Sequence, residues 1–188
     1  MIITINGKPG SGKSSLATML ADRLGLAYYD IGALRREAAR AKGMTLEEYN
    51  RWGETTDETD RDVDAFQEKL GKEKDNLVIT GRTSFYFIPH SVKIFLDVSM
   101  HDAAKRIFND KKLNDRNETS NVSSLDEVER SLNERMRSDN LRYKKYYNID
   151  VYDTSLYDFV LDTSGVSLEG VYEKVVSYLK TKGLLTSD

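Results

Sequence analysis

The sequence predicts an α/β fold, a parallel five-stranded sheet flanked by helices on both faces. Three observations carry this expectation. Apolar runs of strand length alternate with amphipathic stretches of helix length along the chain, the order that builds βαβ units. Those runs are apolar almost throughout, as strands covered on both faces must be. The first of them passes through a glycine-rich turn directly into a helix. At 188 residues the chain has the size of one domain with small insertions.

The first strand is Met1–Asn6. Gly7-Lys8-Pro9-Gly10-Ser11-Gly12-Lys13-Ser14 follows and satisfies G-x-x-x-x-G-K-[ST] between a strand and a helix, the context its mechanism needs. Glycines bring backbone N–H groups close to an anion, and the helix N-terminus adds partial positive charge. This is the phosphate loop of a P-loop NTPase fold. Its expected ATP contacts are Gly7, Lys8, Pro9, Gly10, Ser11, Gly12, Lys13, Ser14 and Ser15, with Lys13 on the β- and γ-phosphates and Ser14 on Mg²⁺.

The helix Ser15–Leu24 carries Leu16, Met19, Leu20 and Leu24 at helical spacing and stops at Gly25. Leu26–Tyr29 reads as a second strand, Asp30–Gly32 as a turn, and Ala33–Lys42 as a helix closed by Gly43. Thr45 and Glu48 have capping-box spacing for a short helix to about Trp52. In the charged stretch Thr56–Lys74, Val63, Phe66 and Leu70 share one helix face. Leu77–Thr80 and Val92–Asp97 are strands on either side of a turn at Pro89, and Ser99 with Asp102 opens a helix to Phe108. Residues 109–123 are polar and lysine-rich and read as an excursion from the sheet. Ser124 and Glu127 open a long helix to about Tyr147, Phe159–Asp162 is the last strand, and Ser167–Lys182 closes the chain as a helix. Tyr143, Tyr146 and Tyr147 read as packing between the long helix and the sheet.

Composition narrows the function. A net charge of −3 argues against broad nucleic-acid binding, and the absence of cysteine excludes disulfides, thiolate metal sites and a cysteine nucleophile. His90 and His101 are too few for a histidine metal cluster. No apolar run reaches membrane-span length and no signal-peptide pattern precedes the first strand, so a cytoplasmic protein is expected. The guanine-reading N-K-x-D motif of GTPases is missing, and Asp97 at a strand end has no second acid beside it in sequence, as a motor ATPase would. A small kinase remains, and it must hold a second, anionic substrate. Arg36, Arg82, Arg135 and Arg142 lie at element ends or on one helix face; Arg82 follows Gly81 at a strand's carboxyl end, where ligands of open α/β sheets bind. Arg135, Asp139 and Arg142 share a face of the long helix, either as a substrate wall or as a solvated stripe of ion pairs.

The chain resembles the cytidylate kinases, in particular the short archaeal-type branch of the nucleoside monophosphate kinases. The resemblance rests on GKPGSGKSS, Asp30-Ile-Gly-Ala-Leu-Arg-Arg36, Asp60-Arg61 with Asp64 and Gln67, Gly81-Arg82, Pro89–Leu96, R-x3-D-x2-R-Y at Arg135–Tyr143, Tyr147–Asp150 and Tyr157–Ser164, in uninterrupted order. It implies transfer of the ATP γ-phosphate to CMP or dCMP with Mg²⁺, by a monomer. Lys13, Arg82, Arg135 and Arg142 would be catalytic, and Asp30, Gly32, Arg36, Asp60, Arg61, Arg82, Asp139 and Arg142 would bind CMP. The core would comprise 1–31, 76–108 and 124–188, with a monophosphate-binding lobe at 32–75 and a lid at 109–123 whose Lys111, Lys112 or Arg116 would meet ATP. Asp60 and Arg61 are either readers of cytosine or a solvent-facing helix pair. The chain departs from the pattern at Thr80, where the short branch carries an acid, at Thr83, where the bacterial branch has a base-reading aspartate, and at Arg35, where an aromatic is usual. An AMP, UMP or non-nucleotide acceptor, or a nucleotide-binding module without turnover, remains the alternative.

Overall fold

A computed structural model describes residues 1–110 and 124–186. Five strands form one wholly parallel sheet: β1 (Ile2–Gly7), β2 (Ala27–Asp30), β3 (Leu77–Thr80), β4 (Val92–Asp97) and β5 (Phe159–Asp162), in the order β2-β3-β1-β4-β5. Strand β1 is buried along its whole length because it lies at the centre and is covered on both faces. Period-2 alternation divides its side chains. Ile3 and Ile5 join Leu16, Leu20, Val175 and Leu179 on one face, whereas Ile2 joins Ile31, Leu70 and Ile88 on the other.

Helix α1 (Lys13–Leu24) and the closing helix α8 (Leu168–Thr181) cover the first face. The second is covered by the segment between β2 and β3, made of α2 (Ile31–Ala41), α3 (Leu46–Gly53) and α4 (Glu58–Glu73), together with the single turn α5 (Ser84–Phe87). Helix α6 (Met100–Asn109) packs through Ala103 and Ala104 against Val128 and Leu132 of the long helix α7 (Leu125–Tyr147). Thr45 and Glu48 form the anticipated reciprocal cap, and Ser99 and Ser124 cap α6 and α7.

Three local expectations change. Asp30–Gly32 is not a turn: β2 runs through Asp30, whose side chain accepts from the Ala33 N–H and starts α2 at once. On α4 Leu70 is buried and Val63 packs on the same core as expected, but Phe66 is exposed, and Asp60, Asp64 and Gln67 fill the rest of the inward face; polar groups occupy it because each finds a hydrogen-bond partner there. The turn α5 and a 3₁₀ turn at Thr154–Leu156 carry no periodicity long enough to be anticipated. Of the excursion expected at 109–123, residues 111–123, and with them Lys111, Lys112 and Arg116, lie outside the described residues. Among the described residues no helix is long and apolar enough to cross a membrane.

Candidate active site

The phosphate loop is shaped by close approaches that exclude side chains. Gly7 has φ +147°, and a Cβ there would sit 2.1 Å from the Leu96 carbonyl oxygen of β4; one on Gly10 would sit 2.9 Å from the backbone of Ala103. Gly12 offers α1 no side-chain cap and its first turn holds no acid, so this positive helix end is available to an anion. Lys13 Nζ lies 2.9 and 2.7 Å from the carbonyls of Gly7 and Lys8, held over the loop. From the β4–β5 side Arg106 donates to the Gly10 carbonyl and Thr163 donates to that of Ser11, bracing the loop.

A cavity of about 290 Å³ opens in front of this loop. Its floor is Pro9, Gly10 and Gly12–Ser15; its walls come from Asp30, Ile31, Gly32, Arg35 and Arg36 on the β2–α2 side, Leu46 and Asn50 of α3, Thr80–Arg82 after β3, and Arg135, Asp139 and Tyr143 of α7. Arg106, Ile107 and Asp110 complete it. Helical spacing on α7 therefore serves the wall, not a solvated stripe. Arg82 spans the two halves: Nη1 donates to the Gly7 carbonyl at 2.8 Å and Nε to Asp139 at 2.8 Å. Burial pushes the Asp139 carboxyl up, but the guanidiniums of Arg82, Arg142 and Arg135 outweigh it and hold the group well below the usual carboxylate range. Burial likewise disfavours charge on Arg82, and Tyr152 and Asp139 more than offset it. The Tyr143 phenol, buried beside this cluster, is pushed up to about 12.

Three expected CMP contacts fall elsewhere. Arg142 is fully buried and does not line the cavity; Nη1 donates to both oxygens of Asp60 at 2.9 Å and Nη2 to Asp139 at 2.7 Å. Asp60 is buried as well and is also bound by Arg35, whose Nη2 donates to Asn50. Its oxygens are therefore occupied by guanidiniums, and it presents no free edge to a base. Arg61 points to solvent and pairs with Asp57 one helical turn away, because successive residues on a helix face about 100° apart. Within the loop, Gly7, Lys8 and Ser11 do not line the cavity, and Lys8 is paired to Asp97 at 2.6 Å. Asp97 does gain a neighbouring acid, Asp162, its register partner on β5.

Residues missed in sequence include Arg35, Leu46, Asn50, Arg106 and Tyr143. Arg106 carries a weak local signal, lying one turn after the Ala103 that packs on Gly10. Among the described residues no group of three or more His, Cys, Asp and Glu side chains is assembled for a metal. The cavity offers hydroxyl and carboxylate oxygens instead, from Ser14, Thr80 and Asp30. A Cβ on Gly32 would come within 3.1 Å of Asp30 Oδ1, so the glycine keeps that carboxylate open. Hard oxygen donors with room for water and phosphate suit Mg²⁺, so the donor set fits this ion.

A phosphate loop facing partly buried arginines across one cavity, on a sheet of this order, defines the class of P-loop kinases. Shikimate kinase from Bacteroides thetaiotaomicron shares the fold at a TM-score of 0.62 and 14% identity, covering 96% of this chain and 98% of that one. The shikimate kinase of Aquifex aeolicus does so at 0.56 and 20%, covering 98% and 99%. The chain belongs to the cytidylate kinase-like family, whose sequence profile matches residues 2–165. It is accordingly an enzyme, of the nucleoside monophosphate kinase class. Relatives named cytidylate kinase include those of Natronomonas pharaonis, 35% identical over 94% of this chain and 88% of that protein, and Methanocaldococcus jannaschii, 34% identical over 94% and 96%.

Proposed function

We propose that this protein transfers the γ-phosphoryl group of ATP to CMP or dCMP, giving CDP or dCDP, in a Mg²⁺-dependent reaction. The observation that carries the reading is that Arg36, Arg82 and Arg135 line the same cavity as Lys13 and Ser14. A switch protein has no use for a second cationic wall; a kinase needs one for its acceptor. Phosphoryl transfer depends on in-line positioning and dispersed positive charge. The acceptor oxygen belongs to a phosphate whose second pKa is near ~6, so it is largely deprotonated at neutral pH and needs no general base.

In this reading the loop residues bind ATP, with Lys13 on the β- and γ-phosphates and Ser14 on the metal, which neutralises charge on the phosphates when bound. Arg82 and Arg135 face the transferred group, and Arg36 with Asp30 and Gly32 faces the acceptor. Residues 32–75 act as the acceptor lobe and 109–123 as a lid that keeps water out. Arg142 works from behind, fixing Asp139 and hence Arg82. In this reading the protein is a monomer that acts in the cytoplasm. The test is ADP release with ATP, Mg²⁺ and each of CMP, dCMP, UMP, AMP and GMP. Turnover confined to CMP and dCMP is the expected result. Turnover with another monophosphate alone would overturn the acceptor, and ATP binding without turnover would overturn the kinase.

A further inference from the structure

In P-loop proteins a strand-end aspartate commonly shares Mg²⁺ with the Ser or Thr of the loop. The strand that would bring one here, β3, ends in Thr80. Asp97 of β4 lies outside the cavity and is paired to Lys8 at 2.6 Å. One strand over, β2 ends in Asp30, the register partner of Thr80, and its carboxylate lines the cavity beside Ser14. The two strand ends are physically linked: the Tyr28 and Thr80 hydroxyls share a hydrogen bond at 3.3 Å, and the Thr80 hydroxyl in turn donates to Asp30 Oδ1 at 3.4 Å. The other carboxylate oxygen, Oδ2, holds Arg36 through one contact of 3.3 Å.

We propose that Asp30 takes the place of the missing β3 acid in the Mg²⁺ shell of bound ATP, and that in doing so it gives up its ion pair with Arg36. The second half rests on the acceptor reading above. Oδ1 already accepts from the Ala33 N–H and the Thr80 hydroxyl, so Oδ2 is the oxygen left for a metal. That one oxygen cannot fully serve a divalent cation and the Arg36 guanidinium at once, and Mg²⁺ is the more concentrated charge. While Asp30 holds Arg36, the carboxylate cancels part of the attraction that Arg36 offers a phosphate dianion. Engagement of Asp30 with the metal removes that cancellation. Metal-loaded donor binding therefore strengthens acceptor binding, and by linkage the acceptor strengthens binding of the loaded donor by the same factor.

The test is calorimetric binding of a β,γ-imido ATP analogue to the full chain, with Mg²⁺ and with chelator, followed by CMP titration of each complex. Asn caps a helix as well as Asp does, so Asp30→Asn keeps α2, and metal-free analogue affinity serves as the folding control. In the wild type Mg²⁺ tightens analogue binding, and Asp30→Asn loses roughly 10- to 100-fold of that gain, the scale of a lost metal-supporting carboxylate. Thr80→Asp, placed on the Asp30→Asn chain, restores it across the register pair. The wild type also binds CMP more tightly when the loaded analogue is present, and Asp30→Asn abolishes that increment. Retention of the full Mg²⁺ gain by Asp30→Asn, or no recovery with Thr80→Asp, overturns the metal role. Loss of the gain with an unchanged CMP increment overturns the release of Arg36. If CMP neither binds nor reacts while the metal results hold, the acceptor reading fails and the Asp30 assignment stands.

Discussion

Replacing Arg142 with Met tests whether the cluster behind the cavity is a structural joint. The guanidinium is fully buried and bound to two carboxylates on different helices. Met fills much of the volume but leaves Asp60 and Asp139 with one guanidinium fewer each. Arg35 still holds Asp60 and Arg82 still holds Asp139, so the loss counts as one broken buried pair and not two. One such loss costs about 3–5 kcal/mol, which for a chain of this length lowers Tm by about 6–20 °C. Arg61→Ala, which removes only an exposed pair within α4, costs about 0.3–0.5 kcal/mol, or roughly 1–2 °C. Thermal unfolding followed by circular dichroism compares the two, and Arg142→Met/Asp60→Asn completes a cycle. The double variant is more stable than the sum of its singles by about 1–3 kcal/mol, because Asp60→Asn removes the charge that Arg142→Met exposes. Equal Tm shifts for Arg142→Met and Arg61→Ala, or strict additivity in the cycle, would refute the buried-joint account.

Arg82→Ala lowers kcat by roughly 10³-fold or more, the scale of an arginine that stabilises transferring phosphate charge, while ATP affinity measured by calorimetry stays within a few-fold. Transfer at the wild-type rate would remove Arg82 from the reaction. Asp64 makes a pH prediction. Burial raises its carboxyl to about 6 from 3.8, against the opposing hydrogen bonds of Tyr147 and Thr83. Its folded value exceeds its unfolded one, so the stability linked to its protonation is complete below pH 3.8 and is lost as pH rises through 6. Over that window the wild type loses up to about 3 kcal/mol relative to Asp64→Asn, read from urea unfolding at pH 4 and 6.5. A constant difference between the two proteins would show that Asp64 titrates normally.

The legible parts of the site were those that span only a few residues. The phosphate loop and its helix were readable because eight consecutive residues and their flanks contain the whole mechanism. The Arg135–Asp139–Arg142 spacing put three side chains on one helix face, yet it could not say that Arg135 and Asp139 would face the cavity while Arg142 turned inward to Asp60. On α4, sequence allowed Asp60 to read a base or to face solvent, and gave no sign that it would be buried. Burial became favourable only because Arg35 and Arg142, distant in sequence, meet it there.

By itself the sequence determined the strand–loop–helix unit, the alternation that makes the sheet parallel, the helix caps and the family motifs. Each of these depends on neighbours within a turn or two, where backbone geometry and hydrogen bonding act directly. Tertiary structure alone decided the rest. It set the strand order, brought Asp162 beside Asp97 and Asp30 beside Thr80, and placed Arg106 under the loop. It also sorted the arginines into those that face a substrate and those that hold the wall. The cause is electrostatic. A guanidinium goes where a buried carboxylate or an open cavity compensates its lost hydration, and both are created only when segments far apart in the chain pack together.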